Sequence, residues 1–288
     1  MKVPIPAKPS WAARLARADI RPGRVIAWTL LALGGITMVV PIFYMFMTSL
    51  KHSHEVYELS LFPREPTLAN YAYMLKDGRF FRWFGNSLFI AVIVTASNVF
   101  FDSLVGYALA KYRFRGRYFV FLAILSTLMI PTEMLVIPWY MMSATFGWVD
   151  TTWGIMFPGM MTAFGTFLMK QFFETVPDDF LDAARIDGLN EFTIWWTIAM
   201  PLVTPALSAL AIFAFLGNWT AFLWPLIVTT SPSLYTLPVG LTTYSVEQQI
   251  DWELIMTGAS FATIPTLIVF LLFQRYIIRG VVLAGLKG

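Results

Sequence analysis

The chain contains no cysteine and only two histidines in 288 residues. No disulfide framework, thiol nucleophile or Cys-based metal site is therefore open to it. The two histidines, His52 and His54, share one loop, where a solvated pair is the ordinary reading and a shared metal the rarer one. Charge is equally scarce. Only 13% of residues are Asp, Glu, Lys or Arg, against 58% hydrophobic, whereas a soluble domain carries roughly a quarter charged residues. Lipid is the solvent that tolerates such a composition. No nucleophile–base set appears, so no catalytic residue is assigned and an enzyme is not expected. No G-x4-G-K-[ST] sequence is present, so the chain has no loop of that kind to cradle a nucleotide's phosphates.

What is abundant is apolar sequence in long runs. A bilayer crossing takes about 20 mostly apolar residues. Six segments qualify, at roughly 25–49, 87–110, 118–142, 152–173, 203–229 and 256–279. An all-α membrane protein of six spans is expected, with a 25–279 transmembrane domain between tails at 1–24 and 280–288. No cleavable signal is expected, because the first apolar run is too long for one. Placing both termini inside puts 15 of the 20 Lys/Arg on the cytoplasmic side and leaves Lys51, Arg64, Lys76, Arg79 and Arg82 outside. This distribution follows the positive-inside rule. The basic charge is thus topological, and no nucleic-acid surface is implied. The outer loop 50–86 has room for a short helix around Leu68–Leu75. No internal repeat is visible, which argues against an inverted-repeat carrier.

The cytoplasmic loop 174–202 is the most informative stretch. Pro177 can open a helix whose first turn carries Asp178 and Asp179 near the positive end of the helix dipole. Gly188 can end that helix in a left-handed conformation, and Asn190 can cap a second helix. Helical spacing puts Phe180, Ala184 and Gly188 on one face, where small side chains admit close approach by another protein. By spacing alone, the loop is either such a plug or a plain hairpin joining two spans.

Two carboxyl groups fall inside spans, Asp102 and Glu133, with no Lys or Arg in any span interior. An ionised carboxylate at the bilayer centre costs ~3 kcal/mol or more. Each must be protonated, hydrogen-bonded or wetted by a transport path. Glu133 can also sit in the first turn of a helix restarted by Pro131. In the fifth span, Asn218 can bond hydroxyl groups and Trp219 can stack on the apolar face of a sugar. Helix packing around Gly217 and an interfacial tryptophan belt are the plainer alternatives.

The run from Asp182 to Pro201 resembles the E-A-A-x3-G-x9-I-x-L-P loop of permease subunits of ATP-binding-cassette importers. Asp182, Ala183, Ala184, Gly188, Ile198 and Pro201 fall on the pattern, with Asp182 in place of Glu and Met200 in place of Leu. Further likeness lies in Phe62–Tyr71, Tyr107–Phe114, Met129–Glu133, Ile137-Pro138, Trp224–Leu226, Tyr235–Gly240 and Gly280–Gly288. The subtype resembled is the second permease of carbohydrate importers such as those for maltose or glycerol phosphate. Trp219-Thr220-Ala221 departs from the Trp-Asn-Asp or Trp-Asn-Gln usual in related permeases.

The resemblance implies a type I importer fold in a prokaryotic cytoplasmic (inner) membrane. It implies a second permease subunit, two ATPase subunits that hold the ATP and Mg, and an extracytoplasmic solute-binding protein that delivers a carbohydrate. The coupling residues it implies are Asp182, Ala183, Ala184, Arg185, Asp187 and Gly188. The substrate path it implies runs by Asn218, Trp219 and Thr220, with Asp102 and Glu133 as further candidates. The 280–288 tail would reach along the ATPase pair. An ion-coupled carrier using Asp102 and Glu133 is the competing reading, and an assembly protein without transport the third.

Overall fold

The computed structural model describes residues 22–58, 60–246 and 249–285. The expected tails fall largely outside the described residues, which exclude 1–21 and 286–288. The order is α1 (Pro22–Ser49), α2 (Ala69–Lys76), α3 (Gly78–Lys111), α4 (Arg117–Thr127), a 3-10 turn (Thr132–Leu135), α5 (Val136–Phe146) and α6 (Thr152–Met156). Then come a 3-10 turn (Phe157–Gly159), α7 (Ala163–Glu174), α8 (Asp178–Ile186), α9 (Glu191–Ile194), a π turn (Trp195–Ala199) and α10 (Met200–Leu202). The chain continues through α11 (Thr204–Trp219), α12 (Leu223–Val228), α13 (Leu237–Leu241), a 3-10 turn (Thr242–Tyr244), a two-residue hairpin of β1 (Ser245–Val246) and β2 (Gln249–Ile250), and α14 (Trp252–Gly285).

The fold is all-helical in its membrane part, but the six spans are not six continuous helices. Among the described residues three helices are long and apolar enough to cross alone: Val25–Ser49, Gly78–Lys111 and Trp252–Leu272. Two more spans are bent pairs, α4 with the turn and α5 at 96°, and α9–α10 with α11 at 88°. The expected span at 152–173 is divided into α6, a 3-10 turn and α7. Pro131 accounts for the first bend, because its ring bars a continuous α-helix across it. Pro201 and Pro205 flank the second at Val203, whose ψ of 21° leaves the helical region.

The break in the fourth span is held by side chains of α3. Ser97 donates to the carbonyl of Met160 and Asn98 to that of Gly159, each at 2.6 Å. Asp102 accepts the N–H of Thr162 at 2.9 Å and its hydroxyl at 2.8 Å. Backbone groups freed at membrane depth need such partners, since lipid offers none. Small residues bring the two helices together: a Cβ on Gly106 would lie 2.7 Å from that of Met169, and one on Gly165 only 2.0 Å from Asp102 Oδ2. Close approach of this kind drives helix association where hydrophobic exclusion does not.

Three apolar clusters are stacked along the bundle. One joins Tyr107, Phe173, Leu181, Ala184 and Trp195 at the end bearing α8. A second joins Phe80, Trp83, Phe215, Trp219 and Tyr244 at the opposite end. A small middle one holds Ile90, Val94, Ile155 and Val228. Helix α1 contributes little to any of them, and its most apolar window has no buried residue.

Candidate functional site: the α8 hairpin and a cavity at the span breaks

The hairpin is built by local chemistry. Gly188 has φ +84°, its N–H donates to the carbonyl of Arg185 at 3.0 Å, and Leu189 donates to that of Ala184 at 3.1 Å. These two bonds close α8 as a Schellman motif, which needs the left-handed residue that glycine supplies. A side chain at Gly188 would meet no atom within 4 Å, so the requirement is conformational rather than steric. Asn190 then accepts the Thr193 N–H at 2.9 Å and opens α9.

Charges lock the hairpin shut. Arg185 reaches Glu191 through Nε at 2.7 Å and Nη2 at 3.3 Å, and Asp182 through Nη1 at 2.6 Å. The Arg185 hydrogen bond holds the Glu191 carboxyl below its usual range. Lys111, at the end of α3, donates to Asp178 at 2.6 Å and to the Val176 carbonyl at 2.5 Å. That bond likewise lowers Asp178. Arg117 and Lys170 converge on Glu174 at 3.5 and 2.7 Å.

The outward face of α8 differs from the expected one. Ala184 is buried with Leu181, both packed into the apolar cluster under the hairpin. Leu181 is the larger apolar side chain, and burying it turns Ala184 inward as well, three positions on. The exposed residues of the helix include Phe180, Asp182, Ala183 and Ile186, the last 86% exposed. Of the expected coupling residues, Asp182, Ala183, Arg185, Asp187 and Gly188 are exposed and Ala184 is not.

The second element is a cavity of about 490 Å³ where the broken spans meet. Its walls include Thr127, Leu128, Thr132 and Trp139 from the third span, Gly159 and Thr162 from the fourth, and Gly217, Asn218 and Trp224 from the fifth. Non-helical backbone at membrane depth is tolerated where it is buried in protein or lines a watery cavity. Asn218 donates Nδ2 to the Ala214 carbonyl at 2.8 Å and presents its amide to the cavity.

The remaining path candidates lie elsewhere. Trp219 is 2% exposed, stacked on Phe215 with an interplanar angle of 8° and edge-on to Phe84, and its indole N–H donates to the Ala262 carbonyl at 2.9 Å. Neither its face nor its N–H is open to a solute in this conformation. Thr220 is exposed and donates its hydroxyl to the Leu216 carbonyl at 2.7 Å. Asp102 is fully buried in the α3–α7 contact and does not line the cavity. Glu133 is in the first turn after Pro131 and exposed, beside the cavity-lining Thr132. The sequence reading missed Ser97, Asn98, Trp139 and Thr236. The first two were visible as polar residues in the apolar run of α3.

The sequence pattern of the family described as "Binding-protein-dependent transport system inner membrane component" matches residues 102–283. The chain is similar to the arabinooligosaccharides transport system permease protein AraQ of Bacillus subtilis (strain 168), at 36% identity over 253 residues, covering 86% of this chain and 90% of that protein. It is similar to the sn-glycerol-3-phosphate transport system permease protein UgpE of Agrobacterium fabrum, at 33% identity over 270 residues, covering 90% and 96%. Among solved structures, a chain of a bacterial ABC transporter involved in the import of the acidic polysaccharide alginate shares the fold, with TM-score 0.80 at 24% identity, covering 94% of this chain and 100% of that one. The chain belongs to the family of inner membrane components of binding-protein-dependent transport systems, as a non-catalytic permease subunit of an ATP-binding-cassette importer.

Proposed function

We propose that this permease forms half of the path for a sugar or sugar-derived solute and receives its driving force through the α8 hairpin. The observation that carries the reading is the pairing of a rigid, ion-locked hairpin at one end of the bundle with a cavity at the breaks of three spans. Exposed Phe180, Ala183 and Ile186 form a small apolar face edged by Asp179 and Asp182, suited to a cleft on an ATPase subunit. ATP and Mg reside on two such partner subunits. A second, homologous permease completes the path, and an extracytoplasmic binding protein delivers the solute. The curated relatives carry arabinooligosaccharides and sn-glycerol-3-phosphate in their names, which supports the sugar class.

Orientation follows from charge. Lys111, Arg117, Lys170 and Arg185 gather around the hairpin at one end of the bundle, the arrangement expected of a cytoplasmic face. We place both termini on that side. The ion-coupled reading loses ground here, because Asp102 is occupied by Thr162 and has no water-exposed surface.

The test is Ile186→Asp. The side chain is 86% exposed, so the change leaves folding intact and puts a charge on the docking face. We expect normal membrane insertion, a loss of binding-protein-stimulated ATPase activity and a loss of uptake in vesicles reconstituted with all subunits. Uptake at the wild-type rate would overturn the coupling assignment.

A further inference from the structure

Where α4 begins, a separate cavity of about 560 Å³ opens between Arg117, Lys170 and the rings of Phe114, Tyr118, Phe119 and Phe121. Its size falls in the ~300–1,000 Å³ range of small-molecule sites. Its charges do not balance. Lys170 at 2.7 Å and Arg117 at 3.5 Å share one oxygen of Glu174, so two cations meet one carboxylate. The Lys170 side chain is only 9% exposed and makes one hydrogen bond among the described residues, to Glu174. An ammonium carries further N–H donors, and a buried charge calls for partners. The same Nζ lies 4.2 Å from the centroid of the Phe121 ring, which places it at the cavity wall. On the approach from α3, Arg113 and Arg115 are exposed and make no hydrogen bond or ion pair among the described residues. The rings are open as well: Phe114, Tyr118 and Phe119 are all exposed, the last 75%, and α4 has no buried residue. Exposed aromatic rings beside cations mark the level at which lipid headgroups meet water.

We propose that this cavity holds the headgroup phosphate of an anionic glycerophospholipid from the inner leaflet. Naming the leaflet rests on the reading of this end of the bundle as cytoplasmic; the site itself does not. The phosphate takes charge-assisted hydrogen bonds from Arg117 and Lys170 and supplies the negative charge that Glu174 alone does not. Arg113 and Arg115 add attraction at the surface, as basic residues beside an anionic leaflet do. The acyl chains cover Tyr118, Phe119 and the apolar side of α4 below them. A zwitterionic headgroup brings its own cation into the same field and gains less. Free phosphate has the charge but nothing to lay over the rings.

The experiment uses the purified complex of both permeases and their ATPase subunits in phosphatidylcholine nanodiscs. These are doped with phosphatidylglycerol, or with phosphatidylcholine, carrying a diazirine on one acyl chain, and the adducts formed on irradiation are mapped by peptide mass spectrometry. The phosphatidylglycerol probe is expected to label residues 114–121 about tenfold more than the phosphatidylcholine probe. Unlabelled phosphatidylglycerol should compete the adduct away, and inorganic phosphate should not. Arg115→Gln and Arg117→Gln should each lower the labelling by about fivefold, the effect of one basic residue at an anionic surface. Arg115 is exposed and unpaired among the described residues, so its variant reads the site even if Arg117→Gln loses stability. Equal labelling by the two probes, or unchanged labelling in Arg115→Gln, overturns the proposal. So does displacement by phosphate, which makes the site one for a free anion, and so does an unlabelled 114–121 beside labelled helices elsewhere, which means a partner subunit covers it. Both leaflets of the nanodisc carry the probe, so none of these failures touches the assignment of the cytoplasmic end.

Discussion

The hairpin and the cavity handle polar groups in opposite ways. At the hairpin the principal charges are matched: Arg185 with Asp182 and Glu191, Lys111 with Asp178, and Lys170 with Glu174. In the cavity wall the hydroxyl of Thr236 and the side-chain carbonyl oxygen of Asn218 are left without partners among the described residues. Matched groups fix a shape, because each holds another in one geometry. Unmatched groups are reactive toward whatever enters. One region is therefore a finished part that must keep its form while forces act on it. The other is an incomplete surface, which on the proposed reading a solute completes.

The sharpest way to break this contrast is to unmatch a group that supports both regions. Asp102→Ala leaves the Thr162 N–H and hydroxyl unsatisfied between α3 and α7. Each orphaned group costs about 1–3 kcal/mol. We expect a markedly lower melting temperature for the detergent-purified complex and a loss of uptake; a melting temperature equal to wild type would show that the break in the fourth span is held by other means. Next comes Gly165→Ala, which drives a Cβ to 2.0 Å from Asp102 Oδ2 and must displace one helix. Overpacking of this kind costs about 1–3 kcal/mol. Its companion Gly188→Ala meets no atom within 4 Å and suffers only from φ +84°, at about 1 kcal/mol. A larger thermal shift for Gly188→Ala than for Gly165→Ala would reverse the ranking.

Unlocking the hairpin should do less to stability and more to coupling. Arg185→Ala removes bonds to Asp182 and Glu191, but Arg185 is 35% exposed and solvent screens the pairs. After that screening the loss is about 1 kcal/mol or less. The ATPase response to binding protein is expected to fall while the melting temperature barely moves; the reverse pattern would make Arg185 a purely structural brace. The smallest effect concerns pH. Glu191 and Asp178 have folded-state values lowered by Arg185 and Lys111. Their contribution is present above the unfolded carboxyl range and is lost as pH falls through the lower folded value. Between pH 6 and 8 the hairpin should thus hold its amide exchange protection unchanged, apart from the intrinsic rate. Loss of protection in that window would point to a different titrating group.

Legibility in the sequence followed the range of the interactions. Gly188 and Asn190 were readable because a left-handed stop and a side-chain cap depend on residues three to five positions apart. Pro131 was readable for the same reason. The face of α8 was not, since spacing groups Phe180 with Ala184 but leaves open which side meets the core. That choice was made by Leu181, through the cluster that includes Tyr107 and Trp195. The division of the fourth span was hidden because its carbonyls are satisfied from Asn98, 61 residues earlier. Trp219 read as a stacking surface until its indole N–H found Ala262, 43 residues later.

The α3–α7 contact has a mechanical consequence. Ser97, Asn98 and Asp102 pin α3 to the start of α7, and Gly106 lets the two run nearly in touch toward the hairpin. One end of this pair carries Lys111, clamped to Asp178 of α8; the other carries Ile90 and Thr162, which face the cavity. A helix pair fastened at that many points behaves as a lever, with its compliance displaced to the bends at Pro131 and Val203. On the proposed reading, movement imposed on the hairpin arrives at the cavity with little lost on the way. Spin labels placed along α3 and α7 should keep one separation through the ATP cycle, while labels across either bend change theirs.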